Sequence, residues 1–334
     1  MDFPDRGVLV SVVVATKGRI DSLNRLLNSL CQVGATDTIS YEVIVANNAT
    51  DKSLARRVDD LVVQFSNRAS CASHTVRVRN VGKAIATNAA IRVASGKILA
   101  FLDDDVAVCS GWLMAVAEFF RDSAFAAMQG TIILPPESEN DPELQRLYNR
   151  YRTICLFPPR PGVQEIDTLT GANMAVRRDW LDKIGLFDVR LGPGQSGTSD
   201  DTELAERIIE AGGRIGCAPD AVVYHEVDWT RLSEEYFRLR HRQQGISRLI
   251  YKNPPFLAIL YDLARSLGGY ILYAVLDNER KKYRAKGRCF HYSAMLKAKF
   301  NRGLRERDKT RETRSGRPVR YPQRDLAMLD RKNL

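Results

Sequence analysis

The first half of the chain alternates between apolar runs and segments with helical spacing. Residues 8–15 form an apolar run broken only by Ser11, and residues 41–46 form a second that contains Glu42. Continuous apolar runs of this length indicate strands buried on both faces of a sheet. We predict strands at 8–15, 41–46, 75–78 and 98–102, and helices at 21–32, 51–65, 82–94 and 112–120. This order predicts an α/β fold in which a doubly wound, mostly parallel central sheet carries helices on both faces.

The second half is less regular. A strand is predicted at 126–134, and a helix at 200–211 has three acidic residues in its first turn, where the positive helix end favours them. A short strand at 221–224 leads to His225, and a basic helix follows at 233–251. We expect a main domain at 1–230 with halves at about 8–125 and 126–230, a helical region at 231–300, and a flexible basic tail at 301–334.

Three consecutive carboxylates stand at the end of the fourth predicted strand, at Asp103, Asp104 and Asp105. Neighbouring carboxylates repel one another, and a bound cation offsets that repulsion. Side chains alternate along a strand, so Asp103 and Asp105 point to the same side. Oxygen ligands of this kind suit Mg²⁺ or Mn²⁺. The alternative interpretation is an acidic turn without a ligand.

Positive charge is concentrated at the C-terminus. The 334 residues carry a net charge of +10, and residues 251–334 hold 21 Lys and Arg against 8 Asp and Glu. The apolar stretch 256–276 contains Asp262 and Arg265 and precedes a basic cluster at 280–288. This pattern fits peripheral contact of 256–288 with an anionic membrane, and it equally fits a helix that packs on the main domain.

The six cysteines form no CxxC pair, which argues against a zinc site. The N-terminal residues lack the profile of a signal peptide, so we expect a cytoplasmic protein, at the inner face of the plasma membrane if the apolar stretch binds there.

The order of these motifs resembles the family 2 glycosyltransferases, which have a GT-A fold and are inverting, metal-dependent enzymes that use nucleotide sugars. The similarity covers about residues 8–250. It rests on segments 10–19, 43–51, 80–88, 103–105, 170–174 and 200–204 and on the late His225.

The resemblance implies a role for each matching residue. It implies that Asp201 is the catalytic base and that Asp105, Asp103 and His225 bind the metal. The donor nucleotide sugar would contact Thr16, Arg19, Asn47, Asn48, Lys83, Asn88, Asp103 and Asp104. The acceptor would contact Gly171, Ala172, Asn173, Asp200 and Trp229.

Three departures from the family pattern affect the interpretation. Asn47 or Asn48 stands where the family has an aspartate that reads uracil, and an amide can still pair with that base. Thr87 replaces an arginine, whose charge Lys83 is expected to supply. The Gln-x-x-Arg-Trp motif of processive synthases is not matched, which favours addition of a single sugar.

The resemblance therefore implies transfer of one sugar, with UDP favoured as the nucleotide, to a hydroxyl of a glycan or lipid-linked acceptor in polysaccharide or glycolipid biosynthesis. One alternative is a nucleotidyltransferase that makes a nucleotide sugar, although residues 15–19 hold only one glycine. A second is a nucleic-acid-binding protein that uses the tail. Most of 301–334 lacks aromatic residues among its basic ones, so we expect no nucleic-acid partner.

Overall fold

The computed structural model describes residues 8–33, 39–121 and 124–314. Its centre is a sheet whose first strand is apolar on both faces. Val10, Val12 and Val14 face one hydrophobic core, and Val13 faces a second core on the other side. Both faces are covered by helices, as the unbroken apolar run requires.

The elements follow one another along the chain with short connections. The strands are β1 Val10–Thr16, β2 Tyr41–Asn47, β3 Ala72–Arg77, β4 Ile98–Asp103, β5 Val106–Val108, β6 Ala127–Ile133, β7 Glu165–Ile166, β8 Asn173–Arg177 and β9 Ile215–His225. The helices are α1 Ile20–Val33, α2 Lys52–Ser66, α3 Lys83–Val93, α4 Trp112–Arg121, α5 Pro136–Glu139, α6 Pro142–Tyr151, α7 Arg178–Ile184, α8 Asp200–Glu210, α9 Glu234–Tyr251, α10 Phe256–Val275 and α11 Glu279–Arg314, with a 3₁₀ turn at Trp229–Arg231.

The sheet has a parallel half and a mixed half. Its strand order is β3-β2-β1-β4-β8-β6-β9-β5, and β7 pairs with β9 at one side. The strands β3, β2, β1 and β4 are parallel, whereas β8 runs antiparallel to both β4 and β6. The parallel half brings the carboxyl ends of β1 and β4 side by side, where ligands of α/β sheets bind. The predicted α/β architecture with helices on both faces is confirmed.

The two cores divide the helices between the faces of the sheet. Helices α1, α2 and α4 supply one core, with Phe65 and Trp112 among its largest buried side chains. Helices α3, α7 and α8 supply the other. Most helices and long strands lie within a few residues of the predicted bounds, whereas β5 and α6 had no prediction.

The C-terminal region is a group of three helices. Helix α11 packs on α9, α10 and α6. Its crossing with α9 is close, because a Cβ on Gly287 would lie 2.4 Å from Nε2 of His241. Residues 301–314, the first part of the expected tail, continue α11. Residues 315–334 lie outside the described part of the chain.

Helix α10 has an apolar face that none of the described elements covers. Leu257 is 75% exposed, and Tyr261, Ile271, Leu272 and Val275 are also exposed on the same side. Asp262 and Arg265 form a salt bridge on this helix with a separation of 3.0 Å. None of the described helices is both long enough and apolar enough to span a bilayer.

Candidate active site

A cleft of about 480 Å³ opens at the carboxyl ends of β1 and β4. The first strand ends at Thr16 and the fourth at Asp103, so their connecting loops form its floor. Helix α8 begins at Asp200 on one side, and α9 closes another side. The fold thus brings together four segments from different parts of the sequence.

Asp104 is a buried carboxylate that ties the first strand to the acidic turn. Thr16 Oγ1 donates to its Oδ2 at 2.6 Å, and Arg19 Nη2 lies 2.5 Å from its Oδ1. Burial raises the pKa of Asp104 to about 6, although Arg19 and Thr16 oppose that rise. Both oxygens have protein partners, so Asp104 orients the turn and Arg19.

Asp105 has one oxygen that is paired and one that is not. Arg19 Nη1 and Arg231 Nη2 donate to its Oδ2 at 2.8 and 3.0 Å. Its Oδ1 is buried and accepts no hydrogen bond from the described residues. Burial favours a higher pKa, but His225, Arg19 and Arg231 outweigh it and hold the pKa of Asp105 well below its ordinary value.

His225 faces the unpaired oxygen of Asp105. Its Nδ1 lies 2.8 Å from the carbonyl oxygen of Glu226, which can only accept, so Nδ1 carries a proton. Its Nε2 lies 3.8 Å from Oδ1 of Asp105. The ring is 1% exposed and is fixed by β9, whose register with β5 pairs His225 with Val106.

These two groups fit a divalent cation. An imidazole nitrogen and a carboxylate oxygen converge, and the carboxylate oxygen has no hydrogen-bond partner among the described residues. Both atom types are common ligands of divalent metals. Within the described residues no three His, Cys, Asp or Glu side chains form a complete metal cage. A cation held here therefore needs further oxygen ligands from a substrate or from water.

Lys83 connects the acidic turn with the start of α8. Its Nζ forms a salt bridge with Asp103 Oδ1. Burial disfavours its charged form, but Asp103, Asp200 and Asp201 raise the pKa of Lys83 above its ordinary value. The backbone N–H of Lys83 donates to the carbonyl of Pro193 at 2.9 Å, which fixes the start of α3 against the glycine-rich loop at 191–197.

Asp201 is held with its carboxylate at the cleft. The backbone N–H of Gly171 donates to Oδ2 at 3.0 Å, and that of Thr202 donates to Oδ1 at 2.7 Å. Its neighbour Asp200 is 7% exposed, and burial raises the pKa of Asp200 to about 6, with Asp201 adding to the rise and Lys83 opposing it. Asp201 is thus oriented by two backbone donors and keeps lone pairs for a substrate hydroxyl.

The structure brings most of the predicted site residues to this cleft. They are Thr16, Arg19, Asn48, Lys83, Asp103, Asp104, Asp105, Gly171, Asp200, Asp201 and His225. The amide of Asn48 is fully used, since it donates to the carbonyls of Val78 and Asn80 and accepts from the N–H of Gly82. Asn48 therefore shapes the cleft wall through its neighbours.

Two other predicted nucleotide contacts lie behind the cleft. Asn47 donates to the carbonyl of Ala55 and to Asp59, so it faces α2. Asn88 exchanges two hydrogen bonds with the backbone of Phe187, at 2.8 and 3.0 Å. Both amides join elements of the framework, and neither lines the cleft in this structure.

The predicted acceptor loop is also partly framework. Ala172 and Asn173 are fully buried. The Asn173 amide donates to the carbonyls of Thr131 and Ala221 and accepts from Trp112 Nε1. A Cβ on Gly130 would lie 2.2 Å from Nδ2 of Asn173, so the glycine leaves room for this amide. Of the three predicted residues, only Gly171 reaches the cleft.

Trp229 is 49% exposed on the 3₁₀ turn and does not line the cleft. Other residues that sequence reasoning missed line it instead: Arg231, Tyr236, Leu239, Arg240 and Gln243. The last four lie on α9 with spacings of three and one residues, a pattern that would have identified one helix face. Arg231 carries no such signal, because its contact with Asp105 spans 126 positions.

The sheet is doubly wound and carries a carboxylate triplet at the end of β4. A late histidine lies beside that triplet, and acidic residues stand at the start of α8. This combination defines a GT-A glycosyltransferase. The family model described as "Glycosyltransferase like family 2" matches residues 6–245. The chain belongs to this family and is a transferase that uses a nucleotide-sugar donor.

Curated relatives carry related names. The chain is 28% identical over 242 residues to the succinoglycan biosynthesis protein ExoM of Rhizobium meliloti (strain 1021), which covers 72% of this chain and 74% of that one. It is 25% identical over 270 residues to the pre-mycofactocin glycosyltransferase of Mycobacterium tuberculosis (strain ATCC 25618 / H37Rv), covering 80% of this chain and 53% of that one.

Solved structures share the fold at low sequence identity. The mannosyltransferase PcManGT from Pyrobaculum calidifontis, in complex with GDP-Man and Mn²⁺, has a TM-score of 0.51 and 17% identity, covering 93% of this chain and 81% of that one. TarS 1-349 of S. aureus, in complex with UDP-GlcNAc, has a TM-score of 0.50 and 14% identity, covering 94% and 93%.

Proposed function

We propose that the protein is an inverting glycosyltransferase that adds one sugar from a nucleoside diphosphate sugar to a hydroxyl of a glycan or lipid-linked acceptor. The observation that carries the proposal is that one cleft contains both a candidate metal-binding pair and a candidate general base. The unpaired Asp105 Oδ1 faces His225 Nε2, and the oriented carboxylate of Asp201 stands on α8 in the same cleft. The first pair suits a metal-bound diphosphate and the second group suits a general base.

The donor site consists of the acidic turn and its cations. Asp105 and His225 would hold Mn²⁺ or Mg²⁺. When bound, the ion would offset the negative charge that develops on the leaving diphosphate. Arg19 and Arg231 donate to the other oxygen of Asp105, and their guanidinium groups would contact a phosphate that enters there. Lys83 holds Asp103 by a salt bridge, and Asp103 would contact the ribose. UDP is the favoured nucleotide through family resemblance.

Asp201 would take the proton from the acceptor hydroxyl as its oxygen attacks the anomeric carbon. Its two backbone donors keep the carboxylate in a single orientation, which is what a general base needs before the acceptor arrives. Attack from the face opposite the diphosphate inverts the anomeric centre. The cleft side of α9, with Tyr236, Arg240 and Gln243, would contact the acceptor sugar.

An assay of product release from nucleotide sugars and from nucleoside triphosphates distinguishes a glycosyltransferase from the nucleotidyltransferase alternative. With Mn²⁺, we expect slow release of UDP from a UDP-sugar by attack of water, and no pyrophosphate from UTP with a sugar 1-phosphate. If UDP-sugars release no UDP, the parallel assay with GDP-, dTDP- and CDP-sugars identifies the nucleotide that the donor carries. Pyrophosphate release from a nucleoside triphosphate, with none of the four nucleotide sugars consumed, would contradict the proposal.

We further propose that α10 rests on a membrane that carries the acceptor. Its exposed face contains several large apolar side chains, and basic residues follow at the start of α11. An apolar face beside a basic cluster favours binding at an anionic membrane interface. The site of action would be the inner face of the plasma membrane, with the protein attached peripherally.

Vesicle sedimentation tests this contact. The double variant Leu257→Asp, Ile271→Asp places two carboxylates on exposed positions, so its stability should be unchanged while its binding to phosphatidylglycerol vesicles falls about tenfold or more. Val63→Asp on α2 is the control, because Val63 is 59% exposed on another face. Equal vesicle binding by the double variant and the wild type would reject the contact.

A further inference from the structure

Arg240 is a cation of the active-site cleft that the donor site does not use. Arg19, Arg231 and Lys83 each form a salt bridge with a carboxylate of the acidic turn. Arg240 lines the same cleft from α9, and its side chain forms no salt bridge or hydrogen bond with the described residues. Within the described part of the chain, its guanidinium donors are therefore free to bind a substrate.

Arg240 and the proposed base Asp201 face the same part of the cleft. Both lie near the thiol of Cys155, which also lines the cleft. Burial raises the pKa of Cys155 to about 11, and Arg240 opposes that rise whereas Asp201 and Asp103 add to it. The thiol is therefore neutral near pH 7, and it forms an uncharged wall between the guanidinium group and the base. A ligand bound beside Cys155 lies near both groups.

Gln243 adds a polar group one turn after Arg240 on the same face of α9. A Cβ on Gly197 would lie 2.3 Å from Cδ of Gln243, so this glycine leaves room for the amide at the cleft. Gly197 belongs to the loop 191–197, which leads directly into α8 and its Asp201. The Gln243 amide has no hydrogen-bond partner among the described residues, and it can donate to and accept from sugar hydroxyls.

A half-buried arginine in a cleft selects for a carboxylate on the ligand. Arg240 has lost part of its hydration, and a neutral hexose would replace that hydration with hydroxyl contacts alone. A carboxylate instead accepts two parallel hydrogen bonds from a guanidinium group and compensates its charge.

The charges of the cleft also fix the orientation of such a ligand. Asp201 and Asp200, at the start of α8, repel a second carboxylate, whereas Arg240 on α9 attracts it. An acidic sugar would therefore bind with its carboxylate toward α9 and with a hydroxyl toward the base. That orientation places the nucleophile where the proposed reaction needs it.

We infer that the acceptor sugar is a hexuronic acid, whose carboxylate binds Arg240 while its attacking hydroxyl faces Asp201. This rests on the proposed function, because it specifies the acceptor of that reaction. Arg240 is then a specificity-determining residue, Gln243 contacts the hydroxyls of the same sugar, and diphosphate binding stays with Arg19 and Arg231.

Calorimetric titration of the full chain with matched pairs of sugars tests the inference. The methyl glycosides of glucuronate, galacturonate and mannuronate are each compared with the neutral methyl hexoside of the same configuration, with UDP and Mn²⁺ present and again without them. We expect at least one uronide to bind about tenfold more tightly than its neutral partner, because only the uronide engages the guanidinium group as an ion pair. Arg240→Gln should bring this ratio to about one, and Arg240→Lys, which keeps the charge without the planar fork, should keep part of the preference. Equal binding of every pair by the wild type would overturn the inference.

Arg238→Gln is the matched control, because Arg238 is exposed on the same helix and does not line the cleft, so this variant should keep the wild-type preference. Loss of the preference in both variants would overturn the inference.

Titration with UDP and Mn²⁺ distinguishes an acceptor contact from a donor contact. Arg240→Gln should bind UDP like the wild type, and a loss of about tenfold would make Arg240 a diphosphate contact instead. A preference for UDP-glucuronate over UDP-glucose that requires Arg240 would assign the carboxylate to the donor and contradict the acceptor assignment. Absence of UDP binding by the wild type would reject the proposed donor, whereas the uronide titrations without nucleotide judge the acceptor site independently.

Discussion

Asp201→Asn is expected to lower kcat by about 10²- to 10⁴-fold, the range that a positioned general base contributes, while nucleotide binding stays near the wild-type value. The amide keeps the size of the carboxylate but cannot take the acceptor proton. Since the acceptor loses its base and the donor loses no contact, the effect should fall on kcat. Steady-state kinetics with saturating donor, together with titration of UDP and Mn²⁺, measures both quantities.

One control variant separates chemistry from folding in this experiment. The substitution also disturbs the hydrogen bond from the Gly171 N–H, which we expect to destabilise the fold by about 1–3 kcal/mol if the amide nitrogen faces that donor. Asp182→Asn is the matched control, because Asp182 is exposed on α7. Wild-type turnover by Asp201→Asn would show that another group acts as the base.

Asp105→Asn is expected to abolish the metal dependence of nucleotide binding. The substitution removes the charge on a buried oxygen that has no other described partner, while the amide oxygen can still accept from Arg19 and Arg231. Loss of second-shell partners typically weakens metal binding 10- to 100-fold, so loss of a direct ligand should cost about 100-fold or more. Titration of Mn²⁺ in the presence of UDP measures the change.

His225→Gln should act in the same direction, because it removes the nitrogen that faces Asp105 Oδ1. Asp60→Asn on α2 is the control for an exposed carboxylate. If Asp105→Asn bound Mn²⁺ and UDP like the wild type, then Asp103 or a group outside the predicted set would have to hold the ion.

The sequence predicted the parallel half of the sheet well because its signals are local. The apolar runs of β1, β2 and β4 and the apolar spacing of α1 and α2 each lie within one short window. Strand β5 has only three residues and is stabilised by pairing with β9, more than 100 positions away, so no local pattern identifies it. Helix α6 did have a local signal, since Asp141 caps it and Pro142 is its first residue.

The site was predictable where its residues belong to the ends of strands and helices. Asp103, Asp104, Asp105, His225 and Asp201 all reach the cleft in this way. Asparagines were harder to assign, because a buried amide serves equally to bind a ligand and to satisfy backbone groups. Asn88 and Asn173 do the latter, and only tertiary contacts distinguish the two uses.

The central claim is that the cleft binds a nucleoside diphosphate together with a divalent cation. Thermal unfolding of the wild type with UDP, GDP, dTDP and CDP, each with Mn²⁺ and with EDTA, tests it most directly. A ligand at about 100 times its Kd stabilises the folded state by about 2.7 kcal/mol, which raises the Tm measurably. We expect a rise in Tm with one nucleotide, and we expect that rise to require Mn²⁺. No rise with any nucleotide, or an equal rise in EDTA, would contradict it.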